Sequence, residues 1–150
     1  MISVCLATYN GEKYIIEQIN SILFQLSYED EIIISDDNST DNTLNLIRSI
    51  DDHRIKIFIN DLGQGYTRNF ENAIKKSSGD FIFLCDQDDV WMENKVSTMM
   101  SGLQRADLIV SDALICDGSL NPTLGSHFEL HSTRSGFLPN FIMTRYIGAC

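Results

Sequence analysis

One stretch of the chain decides the fold: five apolar residues followed at once by three carboxylates, in the order Phe81-Ile82-Phe83-Leu84-Cys85-Asp86-Gln87-Asp88-Asp89. A short apolar run of this kind is typical of a buried strand. Alternate aspartates at the end of a strand are often only a solvated turn. Three carboxylates this close repel one another unless a cation compensates their charge, so the stretch favours a strand that ends at a cation site.

The same order, an apolar run and then a polar loop, occurs three times upstream, and each loop leads into a helix. In the first helix the apolar residues Ile15, Ile19 and Ile22 recur at spacings of three and four, which is the pattern of an amphipathic helix. The predicted strands span 2–6, 32–34 and 55–59. The first predicted helix begins at Glu12, the second follows the loop 35–41, and the third spans 67–76.

Downstream of the acidic stretch the pattern predicts a helix over 92–104 and a fifth strand over 108–110. Residues 118–136 mix turn formers with few apolar residues, which indicates a loop, and 137–150 become apolar again. We therefore expect one domain over 1–117 and the start of a second region over 118–150. The final Gly148-Ala149-Cys150 resembles the middle of an element, which favours a chain that is truncated there.

Strands that alternate with helices predict an α/β fold, with a mostly parallel sheet and helices on both of its faces. Ligands of such sheets bind beyond the carboxyl ends of the strands. Three predicted loops at that edge carry polar clusters, at 8–10, 36–38 and 86–89. The sequence thus predicts a binding site made from these loops.

Charge and cysteine content narrow the class of protein. With 21 acidic and 11 basic residues the net charge is −10, which argues against a nucleic-acid binder but allows a nucleotide bridged by a metal ion. The four cysteines form no C-x-x-C pair, and Cys5 and Cys85 lie in apolar runs as buried thiols would. The first apolar run is too short for a signal peptide and none approaches the length of a membrane span, so we expect a cytoplasmic protein.

The acidic clusters suggest particular chemistry. Mg²⁺ or Mn²⁺ is commonly held by one or two carboxylates together with substrate phosphates, and Asp86 and Asp88 are candidates, with Asp89 beside them. Asp36 and Asp37 exceed what capping of the next helix requires, so one of them can accept hydrogen bonds from a base or a ribose.

Two further side chains have open alternatives. The ring of Tyr9 could stack on a base, or it could be an ordinary half-buried aromatic residue. Arg68 could contact a phosphate or the acidic cluster, or it could be a solvated surface residue.

Four segments in this order and spacing resemble family 2 glycosyltransferases with the GT-A fold, and they span 3–11, 34–41, 68–69 and 79–91. The resemblance covers residues 1 to about 117 and is greatest to bacterial members that build surface polysaccharides, including rhamnosyltransferases. It implies an enzyme that transfers a sugar, with inversion, from a UDP- or dTDP-linked donor to a glycan or lipid-linked acceptor.

The resemblance also implies a role for each residue that matches a family motif. Thr8 and Tyr9 would hold the base and ribose, and Asp37 would read the base. Arg68 would lie near the base and diphosphate, Asp86 toward the ribose, and Asp88 and Asp89 at the metal ion. Residues 1–117 would bind the nucleotide-sugar donor, and 118–150 would begin the acceptor side.

Family members deprotonate the acceptor with a carboxylate that lies further downstream, so the general base is expected after Cys150. Asp112 and Asp117 are no obvious substitutes. Two alternatives stay open: a fragment that binds nucleotide sugar without turnover, and a phosphoryl-accepting receiver domain, which the lack of a lysine after Lys95 disfavours. Lipid-linked acceptors would also allow peripheral association with the inner face of the membrane.

Overall fold

The structure is a computed structural model that describes residues 1–131, and it divides into two compact units at Met100 and Ser101. The first unit alternates strands and helices in the predicted order. Its elements are β1 (Ile2–Thr8), α1 (Ile15–Leu23), β2 (Glu31–Asp36), α2 (Thr43–Ser49), β3 (Ile55–Ile59), α3 (Tyr66–Lys76), β4 (Phe81–Asp86) and the start of α4 (Lys95–Leu103).

The four strands form one parallel sheet in the order β3-β2-β1-β4, which confirms the predicted parallel α/β architecture. β1 is central and pairs with β2 on one side and β4 on the other. Every residue of β1 and β2 is buried, as expected for strands covered on both faces. Because all four strands point the same way, their carboxyl ends lie at one edge of the sheet.

Helices cover both faces of the sheet. Alternate side chains of β1 point to opposite faces: Val4 and Leu6 pack with the isoleucines of α1 in the larger core, whereas Cys5 packs with Ala73 of α3 in the smaller one. Cys5 and Cys85 are buried, as expected, and burial raises the pKa of the Cys5 thiol to about 11. These thiols therefore act as small apolar side chains.

The first helix begins at Ile15, three residues later than predicted, and the amides before it donate to side chains at the start of α2 and in the loop that precedes it. The Gly11 amide donates to Thr43 Oγ1 over 2.8 Å, and the Glu12 amide donates to Asp41 Oδ2 over 3.1 Å. Residues 12–14 form a turn instead. The fourth helix likewise begins at Lys95 rather than at residue 92.

The prediction of a fifth strand over 108–110 is wrong, and so is the loop predicted from 118 as far as the structure describes it. The second unit holds an antiparallel pair, β5 (Leu114–Cys116) and β6 (Pro122–Ser126), followed by α5 (His127–His131). Asp117 closes the hairpin because its Oδ1 accepts from the Ser119 and Asn121 amides. Asp117-Gly118 is a turn signal at the start of the connection 117–121, and the helix-strand pattern concealed it.

The first compact unit ends at Met100, and the domain boundary at 117 stays a prediction. The apolar element expected over 137–150 lies outside the described residues. Within residues 1–131, no helix combines the length and the apolar character needed to cross a bilayer.

A buried carboxylate ties the strands together at the amino edge of the sheet. Glu31, only 2% exposed, accepts hydrogen bonds from Ser3 Oγ, Lys56 Nζ and the Ser78 amide and hydroxyl. Burial opposes ionisation of Glu31, but these donors outweigh it and lower its pKa to about 2. The ionised carboxylate thus joins β1, β2, β3 and the loop before β4.

We expect Glu31→Gln to destabilise the fold at neutral pH and to flatten its acid unfolding profile. Because the folded-state pKa lies below the ordinary 4.5, the stabilisation is complete above that pH and is lost as the pH falls toward about 2. The difference between a pKa of 4.5 and one of about 2 corresponds to about 3 kcal/mol of stabilisation. Urea unfolding between pH 2 and 7 measures it.

Glu29→Gln is the matched control, because Glu29 is exposed on the neighbouring loop and should leave the profile unchanged. An unaltered pH profile in Glu31→Gln would refute the stabilising role of the carboxylate.

Candidate functional site

A cleft of about 410 Å³ opens at the carboxyl edge of the sheet. It lies where the strand order changes direction: the chain runs outward from β1 to β2 and β3 and then returns to β4 on the other side of β1. Ligands of parallel sheets bind at such a point. The cleft is lined by Ala7, Thr8, Tyr9, Asp37, Gln64, Gly65, Tyr66, Asn69, Asp86, Gln87 and Asp88.

Five of the residues that the sequence analysis selected line this cleft, and two do not. The cleft brings together Thr8, Tyr9, Asp37, Asp86 and Asp88. Arg68 and Asp89 are not among its lining residues. The sequence analysis did not select Gln64, Tyr66, Asn69 and Gln87, which lie in or next to the same loops.

Thr8 is the last residue of β1, and its hydroxyl and carbonyl groups form hydrogen bonds within the protein. The hydroxyl donates to Asp36 Oδ2 over 2.9 Å. The carbonyl accepts from the Asp37 amide over 2.9 Å and from the buried side chain of Asn69 over 3.0 Å. Thr8 is therefore fixed in place by β2 and α3, and its position sets the floor of the cleft.

The carboxylate of Asp37 joins the end of β2 to the loop after β3. Its Oδ1 accepts from Asn60 Nδ2 over 2.9 Å, and its Oδ2 accepts from the Gly65 amide over 2.8 Å. Gly65 has a φ of 109°, which favours glycine at this position. Each carboxylate oxygen keeps a second lone pair, so Asp37 can also accept from an N–H or hydroxyl group of a ligand.

Two tyrosine rings are exposed at the cleft. Tyr9 is 55% and Tyr66 79% exposed, which is unusual for aromatic residues of this size. The ring of Tyr9 is therefore accessible to a ligand, and its stacking on a base stays a prediction. Tyr66 is the first residue of α3, directly after Gly65, and an aromatic residue at that helix start was the signal that could have revealed it.

The acidic loop places two carboxylates at the cleft. Asp86 ends β4 opposite Ala7 of β1, and both Asp86 and Asp88 line the cleft, whereas Asp89 does not. Among residues 1–131, no group of three or more acidic, histidine or cysteine side chains is arranged to hold a metal ion. Two carboxylates are nevertheless the donor set that Mg²⁺ or Mn²⁺ uses when phosphate oxygens and water complete its coordination.

Arg68 occupies the solvent side of α3. The buried face of this helix carries Asn69, Asn72 and Ala73, and Arg68 points elsewhere. Its guanidinium donates to Glu71 Oε2 over 2.7 Å, one turn further along the helix. Arg68 therefore pairs with Glu71 at the surface in this structure, and its contact with a phosphate stays a prediction.

Hydrogen bonds between side chains and backbone join the loop after β1 to the loop after β2. Asn10 Oδ1 accepts from the Thr40 amide over 2.8 Å, and the Glu12 carboxylate accepts from the Asn42 amide over 2.9 Å. Burial opposes ionisation of Asp41, but hydrogen bonds from Thr43 and Glu12 lower its pKa. These bonds hold the wall of the cleft in place before any ligand binds.

The sequence has relatives of known activity. One is an Escherichia coli protein named UDP-Glc:alpha-D-GlcNAc-diphosphoundecaprenol beta-1,3-glucosyltransferase WfgD, which is 35% identical over 67% of this chain and 40% of its own length. Another is the dTDP-rhamnosyl transferase RfbG of Shigella flexneri, 39% identical over 65% of this chain and 36% of its own. The chain thus spans roughly two fifths of the length of these relatives.

Solved structures share the fold. Staphylococcus aureus TarS in complex with UDP-GlcNAc is 30% identical, with a TM-score of 0.59 over 69% of this chain and 31% of that one. The mannosyltransferase PcManGT of Pyrobaculum calidifontis, solved with GDP-Man and Mn²⁺, is 21% identical, with a TM-score of 0.64 over 77% of this chain and 35% of that one.

The family itself follows from the sequence as a whole. Residues 3–147 match glycosyl transferase family 2, which includes every segment that carried the resemblance and the whole of the cleft. The match also extends through the second compact unit. The chain therefore belongs to glycosyl transferase family 2.

Proposed function

We propose that residues 1–100 form the donor-nucleotide site of an inverting glycosyltransferase of bacterial polysaccharide synthesis. The observation that supports this most directly is the meeting, in one cleft, of the exposed ring of Tyr9, the carboxylate of Asp37 and the carboxylates of Asp86 and Asp88. These groups match the three parts of a nucleoside diphosphate: a flat base, hydrogen-bond donors on base and ribose, and charged phosphates.

The nucleoside end is proposed at Tyr9 and Asp37. A base can stack on the exposed ring of Tyr9, and the second lone pairs of Asp37 can accept from an N–H of a pyrimidine. Thr8 has its polar groups engaged by the protein, so it shapes this end and does not donate to the ligand. UDP and dTDP, the donors named for the two bacterial relatives, share the same pyrimidine N–H.

The diphosphate end is proposed at Asp86 and Asp88. Two carboxylates and a diphosphate would repel one another, so this pairing requires a divalent cation between them. When bound there, Mn²⁺ or Mg²⁺ neutralises the charge that develops on the leaving diphosphate. Asp89 stays a predicted ligand, since it follows Asp88 directly but lies outside the cleft lining.

An inverting reaction requires a base that removes the proton from the acceptor hydroxyl, and we propose that it lies after Cys150, as the family resemblance implies. Lipid-linked acceptors, as in the name of the Escherichia coli relative, are proposed for the whole protein. The cytoplasmic location, with contact at the inner face of the membrane, stays a prediction.

The family match favours this function over the receiver-like alternative. The other alternative is a fragment that binds nucleotide sugar without turnover. It has the same binding site as the proposed enzyme and differs only in whether the sugar is transferred. Hydrolysis or transfer of UDP-glucose by the 150-residue chain, assayed with and without residues that continue it, would separate the two.

We expect calorimetry to detect binding of UDP or dTDP in the presence of Mn²⁺ and much weaker binding without it. Asp88→Asn should weaken the metal-dependent binding more than about tenfold, because it removes an anionic ligand of the metal ion. Asp80→Asn, an identical change at an exposed residue of the opposite edge, should leave the affinity unchanged. Metal-independent binding that Asp88→Asn does not alter would rule out the proposed metal site.

We expect Arg68→Met to change UDP affinity by less than about twofold, because its guanidinium is engaged on the surface by Glu71 and exposed ion pairs contribute little. The same titration measures it, with Arg48→Met on the exposed face of α2 as the matched control. A tenfold loss of UDP affinity in Arg68→Met that is absent in Arg48→Met would instead support the ligand contact that the family resemblance implies.

A further inference from the structure

We propose that Gln87, the residue between the two cleft aspartates, is a positioning residue that fixes the loop of Tyr9 against the acidic loop. It thereby sets the spacing between the nucleoside end and the diphosphate end of the cleft. The proposal rests on the proposed function, because it concerns how the same cleft holds the two ends of one ligand.

The first observation is a pair of hydrogen bonds to one backbone unit. Gln87 Oε1 accepts from the Tyr9 amide over 2.9 Å, and Gln87 Nε2 donates to the Tyr9 carbonyl over 3.1 Å. A primary amide that engages both the N–H and the C=O of one residue imitates the pairing of a neighbouring strand. The two bonds together also define which end of the amide is oxygen and which is nitrogen.

The second observation is the place where this pair occurs. The backbone pairing of β1 with β4 ends at Ala7 and Asp86. Beyond that point the two chains diverge into their loops, and Tyr9 lies two residues past the last pair. The amide of Gln87 therefore continues the connection between β1 and β4 at the one place where both loops line the cleft.

The third observation is the space around Gly11. A Cβ atom added to Gly11 would lie 2.3 Å from Gln87 Oε1 and 2.8 Å from its Cδ. Gly11 is itself held by the bond from its amide to Thr43 Oγ1. The absence of a side chain at residue 11 is therefore what lets the Gln87 amide reach Tyr9.

These contacts give Gln87 a role that its neighbours do not share. The aspartates on either side contribute negative charge to the cleft, whereas Gln87 fixes the loop of Tyr9 relative to the acidic loop. Glutamine is required by length and by chemistry: methionine has the same reach but forms no such bonds, and glutamate lacks the donor for the Tyr9 carbonyl. Without the amide, the ring of Tyr9 and the carboxylates of Asp86 and Asp88 are no longer held at one spacing.

The test is a double-mutant cycle read by calorimetry with UDP and Mn²⁺. We expect Gln87→Met to weaken binding about tenfold through loss of both hydrogen bonds. Gly11→Ala should weaken it by a similar factor, because the new methyl group displaces the flexible Gln87 amide. The double variant should bind no more weakly than the weaker single variant, since both changes remove the same contact.

Two controls separate positioning from general loss of stability. Ser3→Ala removes a buried hydrogen bond to Glu31 at the opposite edge of the sheet, so it should lower the thermal midpoint without changing UDP affinity. Gln104→Met makes the same replacement at an exposed residue and should change neither quantity. Gln87→Met should lose affinity with a smaller drop in thermal midpoint than Ser3→Ala.

Each remaining outcome has a definite meaning. Unchanged affinity in Gln87→Met, or additive losses in the double variant, would overturn the role of Gln87 while leaving the proposed function intact. A loss of affinity in Ser3→Ala equal to that in Gln87→Met would reduce Gln87 to a structural residue. A parent chain that binds neither UDP nor dTDP would overturn the proposed function and this proposal together.

Discussion

The parallel pairing of β1 between β2 and β4 is the constraint on which the rest of this structure depends. It brings Thr8, Asp36 and Asp86 to one edge, although they are separated by many residues in sequence. Because β4 pairs with β1 on the side away from β2, the order of the strands changes direction at β1, where the cleft lies. Burial of both faces of β1 and β2 holds this arrangement in a single register, because a shift of one residue would turn apolar side chains from one core toward the other.

Most polar side chains around the cleft already have partners within the protein. Asp37 accepts from Asn60 and Gly65, and Thr8 is held by Asp36 and Asn69. The cost of ordering these loops is therefore met during folding rather than on binding. The groups that line the cleft and can still contact a ligand are few: two aromatic rings, the remaining lone pairs of Asp37, and the aspartates of the acidic loop.

The sequence predicted the sheet and five residues of the cleft because their signals are local. An apolar run followed by polar residues marks the end of each of the strands β1 to β4, whereas the same pattern over 108–112 does not form a strand. The sequence left the surface position of Arg68 as one of two alternatives, because that position depends on which face of α3 packs on the sheet. The role of Gln87 was hidden for a different reason: its partners Tyr9 and Gly11 are far away in sequence. The β5–β6 hairpin was missed because a periodic pattern was extended past its end.

The Glu31 network has a consequence for how this molecule can change over time. It joins three strands and a loop at the amino edge, where no ligand is expected, and the cleft occupies the other end of the same strands. Folding and recognition are thus assigned to separate groups of residues. The loops at the carboxyl edge can therefore change in sequence while the anchoring carboxylate keeps the scaffold folded. Such a division allows one scaffold to carry binding loops of different composition.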